Sequence, residues 1–202
     1  MKLEDKIEIL IPTHIINADT NPYIENKMIE ETISSCHSKL KLENALFKIC
    51  PDARFEETHP ELMKSYYDYL DKVSLRIQKK GINCIVRKQN SKTLRGNWEQ
   101  FIQECEKPYM FFLEHDWKFL CDLDVNKIIQ FLEENKNVNY LRLPKMKLTN
   151  TWFNSMCSAQ NWDWICQPVE KQKDIPISRI SFMSGNPHFA RVSFLKDFVI
   201  PK

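Results

Sequence analysis

Apolar residues along the chain fall into two alternating rhythms. Short continuous apolar runs mark buried strands, and i, i+3, i+4 spacings mark amphipathic helices. Ile7-Glu-Ile-Leu-Ile-Pro12 reads as a first strand ended by a proline, with Thr13 and His14 at its carboxyl end. After the Asn21-Pro22 turn signal, Ile24, Met28, Ile29, Ile33 and Cys36 recur at helical spacing to about Leu40. A second strand, Ala45 to Cys50, runs into Pro51-Asp52. Thr58-His-Pro-Glu61 is spaced as a capping box. It predicts the start of a long helix with Leu62, Tyr66, Tyr69, Leu70, Val73 and Ile77 on one stripe, stopped by Gly81. Ile82 to Val86 is a third strand, and Leu94, Trp98, Phe101, Ile102 and Cys105 mark the next helix, with Gly96-Asn97 near its start.

The run Tyr109 to Leu113 behind Pro108 reads as a strand buried on both faces, and it stops abruptly in Glu114-His115-Asp116. Asp124 is placed to cap a helix bearing Ile128, Ile129, Phe131 and Leu132, and Val138 to Leu143 is a fifth strand before Pro144. Strand and helix alternate about five times, which predicts an α/β fold with a mostly parallel central sheet flanked by helices. From Lys145 the rhythm breaks. Trp152, Phe153, Trp162 and Trp164 stand in polar surroundings without a period, and the run Ile177 to Phe194 reads as strands about a turn at Ser184-Gly-Asn-Pro187. The reading is one domain over residues 1–202. Residues 1–144 read as a nucleotide-type α/β half and residues 145–202 as an irregular, aromatic-rich half.

Composition narrows the classes. Lys and Arg number 29 against 27 Asp and Glu, a net charge of +2, so no global field argues for a nucleic-acid or membrane partner. No apolar run approaches the roughly 18 residues of a spanning helix, and Met1-Lys-Leu-Glu-Asp-Lys6 is not a signal peptide. The expected location is therefore cytoplasmic. Seven cysteines without a CxxC pair fit buried, reduced thiols. With only three glycines, a glycine-rich phosphate loop is absent.

Three features resemble glycosyltransferases of the GT-A fold, closest to the family-2 type. They are the strand ending Ile11-Pro12-Thr13, the Arg95-Gly96-Asn97 opening of the helix before the acidic strand, and the aromatic strand ending Phe112-Leu113-Glu114-His115-Asp116. A later Gly185-Asn186-Pro187-His188-Phe189-Ala190-Arg191 resembles the strand by which that family returns to its site. The resemblance implies a single GT-A (Rossmann-like) domain that moves a sugar from a nucleotide-sugar donor, a UDP-sugar by expectation. The acceptor it implies is a glycan, lipid-linked or protein hydroxyl.

It further implies Asp116 as ligand of Mn²⁺ or Mg²⁺, Glu114 as auxiliary acid near the ribose or the metal's waters, and His188 as a further metal or pyrophosphate ligand. Pro12, Thr13, Asp52, Arg95 and Asn97 fall to the donor. The chemistry makes the same demand, because a nucleoside diphosphate leaving group needs a cation to neutralise its developing charge. Plainer readings stand beside these: Glu114, Asp116 and Asp52 as turn acids, His115 and His188 as structural histidines, and Arg95 as a solvated side chain.

Trp152, Trp162 and Trp164 offer either flat platforms for sugar rings or core packing. The family's base normally follows the returning strand, but here the chain reaches Lys202 soon after Phe194. Either the chain is a catalytic piece of a longer protein, or the base lies elsewhere, with Asp163 as candidate. Two other classes use the same strand-end acids or none of them catalytically: a nucleotidyltransferase or phosphoester hydrolase, and a nucleotide- or glycan-binding module.

Overall fold

Every residue of β1 (Ile7–Thr13) except Glu8 is buried, which makes it a central strand covered on both faces. The computed structural model describes residues 3–15, 27–88, 93–143, 170–172, 175–177 and 187–200. Around β1 lie α1 (Met28–Leu40), β2 (Phe47–Pro51), α2 (Pro60–Gln78), β3 (Cys84–Val86), α3 (Leu94–Glu104), β4 (Tyr109–Phe112), α4 (Val125–Glu134) and β5 (Tyr140–Arg142). β6 (Glu170–Gln172) and β7 (Ile175–Ile177) follow, then β8 (His188–Arg191) with helical residues Val192–Phe194 and a π-type turn at Leu195–Val199.

The sheet runs in the order β3-β2-β1-β4-β8-β5. β1 is parallel to β2 and to β4, and β2 is parallel to β3, while β8 lies antiparallel to β4 with His188 opposite Phe112 and Arg191 opposite Tyr109. The expected α/β sheet is present, with one antiparallel strand inserted. Alternation sends Leu10, Cys50, Met110, Phe112 and Ala190 to one face, where Phe101 and Ile102 of α3, its C-cap Cys105, and Val192 complete a buried cluster. Residues of the opposite parity, including Ile9, Ile11, Phe47, Ile49, Phe111 and Phe189, are likewise fully buried. Phe111 and Phe189 stack across β4 and β8 with centroids 4.2 Å apart and planes 12° from parallel.

Several boundaries differ from the sequence reading, each for a local reason. The capping box at Thr58 does not form: α2 is capped from His59 without a side-chain bond, and Pro60 occupies its first turn. The Thr58 hydroxyl is spent instead on His59 Nδ1 at 2.9 Å. Leu42 and Ala45 form a turn that delays β2 to Phe47, and Ile82 closes onto the end of α2 through Ile77 O, leaving only Cys84–Val86 to pair. Gly81 does stop that segment, at a φ of +79°. Val138 bonds back to Asn135 and so stands outside β5. Val192–Phe194 is helical rather than extended.

The cysteine expectation holds for Cys36, Cys50, Cys84 and Cys105, which are buried and free, whereas Cys121 is exposed. Burial pushes the Cys84 thiol up to about 11 and the Cys105 thiol to about 12. No helix among the described residues is long and apolar enough to cross a membrane.

The chain divides into two compact units, residues 1–141 with 187–202, and residues 142–186. In the second unit, β6 and β7 pair antiparallel, Glu170 against Ile177 and Gln172 against Ile175. Residues 16–26, 144–169 and 178–186 lie outside the described residues, and with them Asp163, Trp152, Trp162 and Trp164.

Candidate functional site

Strand order reverses between β1 and β4: the chain leaves β1 towards β2 and β3 on one side, then crosses back to place β4 on the other. In open α/β sheets, ligands bind beyond the carboxyl ends of the strands at such a switch point. Thr13 and His14 stand at the end of β1, Asp52 just after β2, and Glu114-His115-Asp116 just after β4.

Hydrogen bonds draw the β1 and β2 ends together. Asp52 N–H donates to Thr13 O at 3.0 Å, and Asn97 Nδ2 of α3 donates to Pro51 O at 3.0 Å. The start of α3 is fixed by Thr93, whose hydroxyl accepts from Gly96 N–H at 3.0 Å, which places Asn97 on the buried side of the first turn. Thr13, Asp52 and Asn97 are 0%, 1% and 0% exposed, yet Thr13 Oγ1, Asp52 Oδ2 and Asn97 Oδ1 have no hydrogen-bond partner. Buried polar atoms are nearly always paired, because leaving one unpaired costs roughly 1–3 kcal/mol. Thr13 Oγ1 and Asn97 Oδ1 thus lack a protein hydrogen-bond partner on adjacent segments, and the Asp52 carboxylate between them is met by Arg54. Trp98 Nε1, one residue further along α3, is a fourth unpaired buried atom.

Asp52 faces the Arg54 guanidinium at 3.4 Å, within ion-pair reach but not aligned as a hydrogen bond. Burial pushes its carboxyl above the ordinary range, opposed by Arg54 and His14. A raised carboxyl binds its proton more tightly folded than unfolded, so ionising it costs stability. The penalty is absent below the ordinary aspartate value of about 3.9 and grows as pH rises to the raised folded value. Asp52→Asn should remove it: urea denaturation from pH 4 upward should show wild type losing stability relative to the variant as pH rises. Parallel curves would contradict the assignment.

The tip of β4 is held from both sides. The buried Thr32 hydroxyl of α1 donates to His115 O at 2.7 Å, and His115 Nδ1 meets Pro12 O at 3.2 Å, which requires the Nδ1–H tautomer. The His14 ring packs edge-on against His115 at 5.4 Å. Burial and His14 hold the His115 imidazole below its ordinary pKa, with Asp116 and the Pro12 carbonyl opposing. His115 is thus a neutral framework residue. Glu114 is half-buried and its Oε2 accepts from Trp117 Nε1 at 2.7 Å, while Asp116 is exposed.

His188 is 3% exposed, with its ring stacked on Phe112 at 5.0 Å, 4.7 Å from Tyr140 and 6.4 Å from Trp98. Arg95 is exposed and pairs with Glu99 at 2.8 Å along α3. Among the described residues no three His, Cys, Asp or Glu side chains form a group able to hold a metal ion, so Glu114, Asp116 and His188 do not make a protein cage. The exposed Asp116 with Glu114 beside it fits a different kind of site. A hard cation such as Mg²⁺ or Mn²⁺ takes one or two carboxylates and fills its remaining positions with water and phosphate oxygens.

Sequence reasoning passed over Thr32, His14, Trp98 and Trp117 as site residues. Thr32 had a signal, a polar residue beside the apolar stripe of Ile29 and Ile33, and Trp117 lies i+3 from Glu114 across a turn.

No family model matches the sequence, and no curated protein matches it. Solved structures do. The mannosyltransferase PcManGT from Pyrobaculum calidifontis, in complex with GDP-Man and Mn²⁺, is similar at a TM-score of 0.53 and 9% identity, covering 95% of this chain and 46% of that one. Residues 1–349 of S. aureus TarS give 0.50 and 15%, covering 95% and 48%. CMP:2-keto-3-deoxy-manno-octonic acid synthetase with CTP gives 0.50 and 10%, covering 98% and 79%. The chain thus has the fold common to GT-A-type glycosyltransferases and related nucleotidyltransferases. It spans about half the length of the mannosyltransferase and of the TarS chain.

Proposed function

We propose that this chain is a metal-dependent glycosyltransferase that moves a sugar from a nucleotide-sugar donor, a UDP-sugar, to a hydroxyl of a glycan, lipid-linked or protein acceptor. The observation that carries the proposal is the switch point itself, with unpaired polar atoms on the β1–β2 side and a carboxylate tip on the β4 side. The two halves suit the two ends of a nucleoside diphosphate. Thr13, Asp52 and Asn97 receive the nucleoside, with the Pro12 backbone as floor. Asp116 and Glu114 take the diphosphate end through Mn²⁺ or Mg²⁺, which when bound supplies a Lewis acid against the charge of the departing diphosphate. His115 fixes the spacing between the two ends by tying the tip of β4 to Pro12. His188, stacked with Phe112 and Tyr140, walls the site at β8. Arg95 extends the donor side from α3. The sequence offers Asp163 as base and Trp152, Trp162 and Trp164 as acceptor platforms, all of them outside the described residues.

A second reading, nucleotidyl transfer, is favoured by the likeness to the CTP-bound synthetase, 79% of whose chain is covered. Titration calorimetry separates the two, with UDP, GDP, ADP and CTP each added with and without Mn²⁺. UDP binding that requires Mn²⁺ is the expected result. Binding of CTP alone would move the assignment to the second reading, and binding of none would end both.

A further inference from the structure

We propose that Trp117 is a positioning residue for Glu114, and that its indole N–H sets the protein's affinity for the divalent cation. The inference rests on the functional reading above and adds to it a residue that the reading does not use. Trp117 Nε1 donates to Glu114 Oε2 at 2.7 Å, and Trp117 N–H reaches Glu114 O at 3.4 Å, closing the turn that contains His115 and Asp116. An indole nitrogen is a donor only, so this contact can be made with a carboxylate but never to a competing donor. A hydrogen bond to a charged carboxylate is among the stronger ones.

Glutamate carries one more rotatable bond than aspartate, and ordering it costs conformational entropy when a cation arrives. The indole removes much of that cost in advance, provided that Trp117 is itself fixed. It is fixed on both sides in sequence. His115 is bolted to Thr32 and Pro12. Beyond Trp117, Lys118 pairs with Glu31 at 3.3 Å, and Phe119 N–H donates to Ser35 Oγ at 3.1 Å with its ring 6.3 Å from Phe111. The loop after the tip is thereby laced to α1, and Trp117 hangs between two anchored residues. Partners that orient a metal-side carboxylate typically change metal affinity by about 10–100-fold when removed.

The test is Trp117→Phe in the full chain, which keeps an aromatic ring and deletes the N–H. Bound Mn²⁺ is read directly from the loss of the free-ion electron paramagnetic resonance signal, with UDP present. The half-saturating Mn²⁺ concentration should rise roughly 10–100-fold, while UDP affinity at saturating Mn²⁺ stays that of wild type. In a Glu114→Ala background the same change should add nothing, since contacting residues that act through one another are not additive. A circular dichroism melt confirms that each variant is folded. Unchanged Mn²⁺ affinity in Trp117→Phe overturns the inference, as does a full additive loss on top of Glu114→Ala. Absence of Mn²⁺-dependent UDP binding in wild type would instead overturn the functional reading, and the inference with it.

Discussion

Asp116→Ala is expected to weaken Mn²⁺-dependent UDP binding by at least roughly 100-fold, about 2.7 kcal/mol, with the thermal midpoint nearly unmoved. The two halves of that expectation have separate causes. Asp116 is exposed, so its truncation opens no cavity and strands no buried partner, and surface changes of that kind stay within about 0.5 kcal/mol. Under the proposed assignment, loss of Asp116 leaves only Glu114 to face a cation whose phosphate partners are themselves anionic. Calorimetry with and without Mn²⁺, beside a thermal melt, reads both halves. Retained metal-dependent binding in a folded Asp116→Ala protein would remove the cation from this tip altogether.

The largest effect on stability should come from Phe111→Ala. Phe111 is fully buried on β4 and stacks on Phe189 of β8, so truncation removes both its buried surface and the cross-strand stack. Deleting a core phenyl ring costs about 3–5 kcal/mol. For a chain of this size that is a fall of roughly 10 °C in Tm. Phe198, 77% exposed, is the matched control: Phe198→Ala should change stability by less than about 0.5 kcal/mol. Urea denaturation of the two variants measures the contrast. Equal losses would mean that the β4–β8 pair is not the core of the sheet.

How much of this could be read in advance depended on how local the determinants were. The β4 run, read as Tyr109–Leu113 and formed over Tyr109–Phe112, and the cap at Asp124 are written in adjacent residues, and both are present. Asp124 Oδ1 accepts from Lys127 N–H as a cap should. The Thr58 cap failed for an equally local reason that the pattern does not encode, since the hydroxyl found the neighbouring imidazole first.

The site was legible only as a set of strand ends. Thr13, Asp52, Asn97, Glu114 and Asp116 were picked out as individual residues, but no spacing along the chain says that Asn97 reaches Pro51 or that Thr32 reaches His115. Those bonds join residues 46 and 83 positions apart. Likewise, the aromatic surroundings of His188 come from Trp98, Phe112 and Tyr140 on three separate elements.

The place of β8 has a consequence for how the chain assembles. Tyr109 pairs with Arg191, 82 positions further along the chain, whereas Ile9 meets Phe47, 38 positions further. Closing the longer loop costs little at equilibrium, since each doubling of length adds only about 0.6 kcal/mol. The cost is paid in time. The β1–β4 pairing reaches further still, Ile7 meeting Tyr109 102 positions on, so β4 is tied into the sheet on both sides only by long-range pairings, and pairings of such range form slowly. Until Phe189 covers Phe111, the β8-facing edge of β4 is an apolar template open to the wrong strand or to another chain. The strand that carries His188 is thus also the one that covers the open edge of β4.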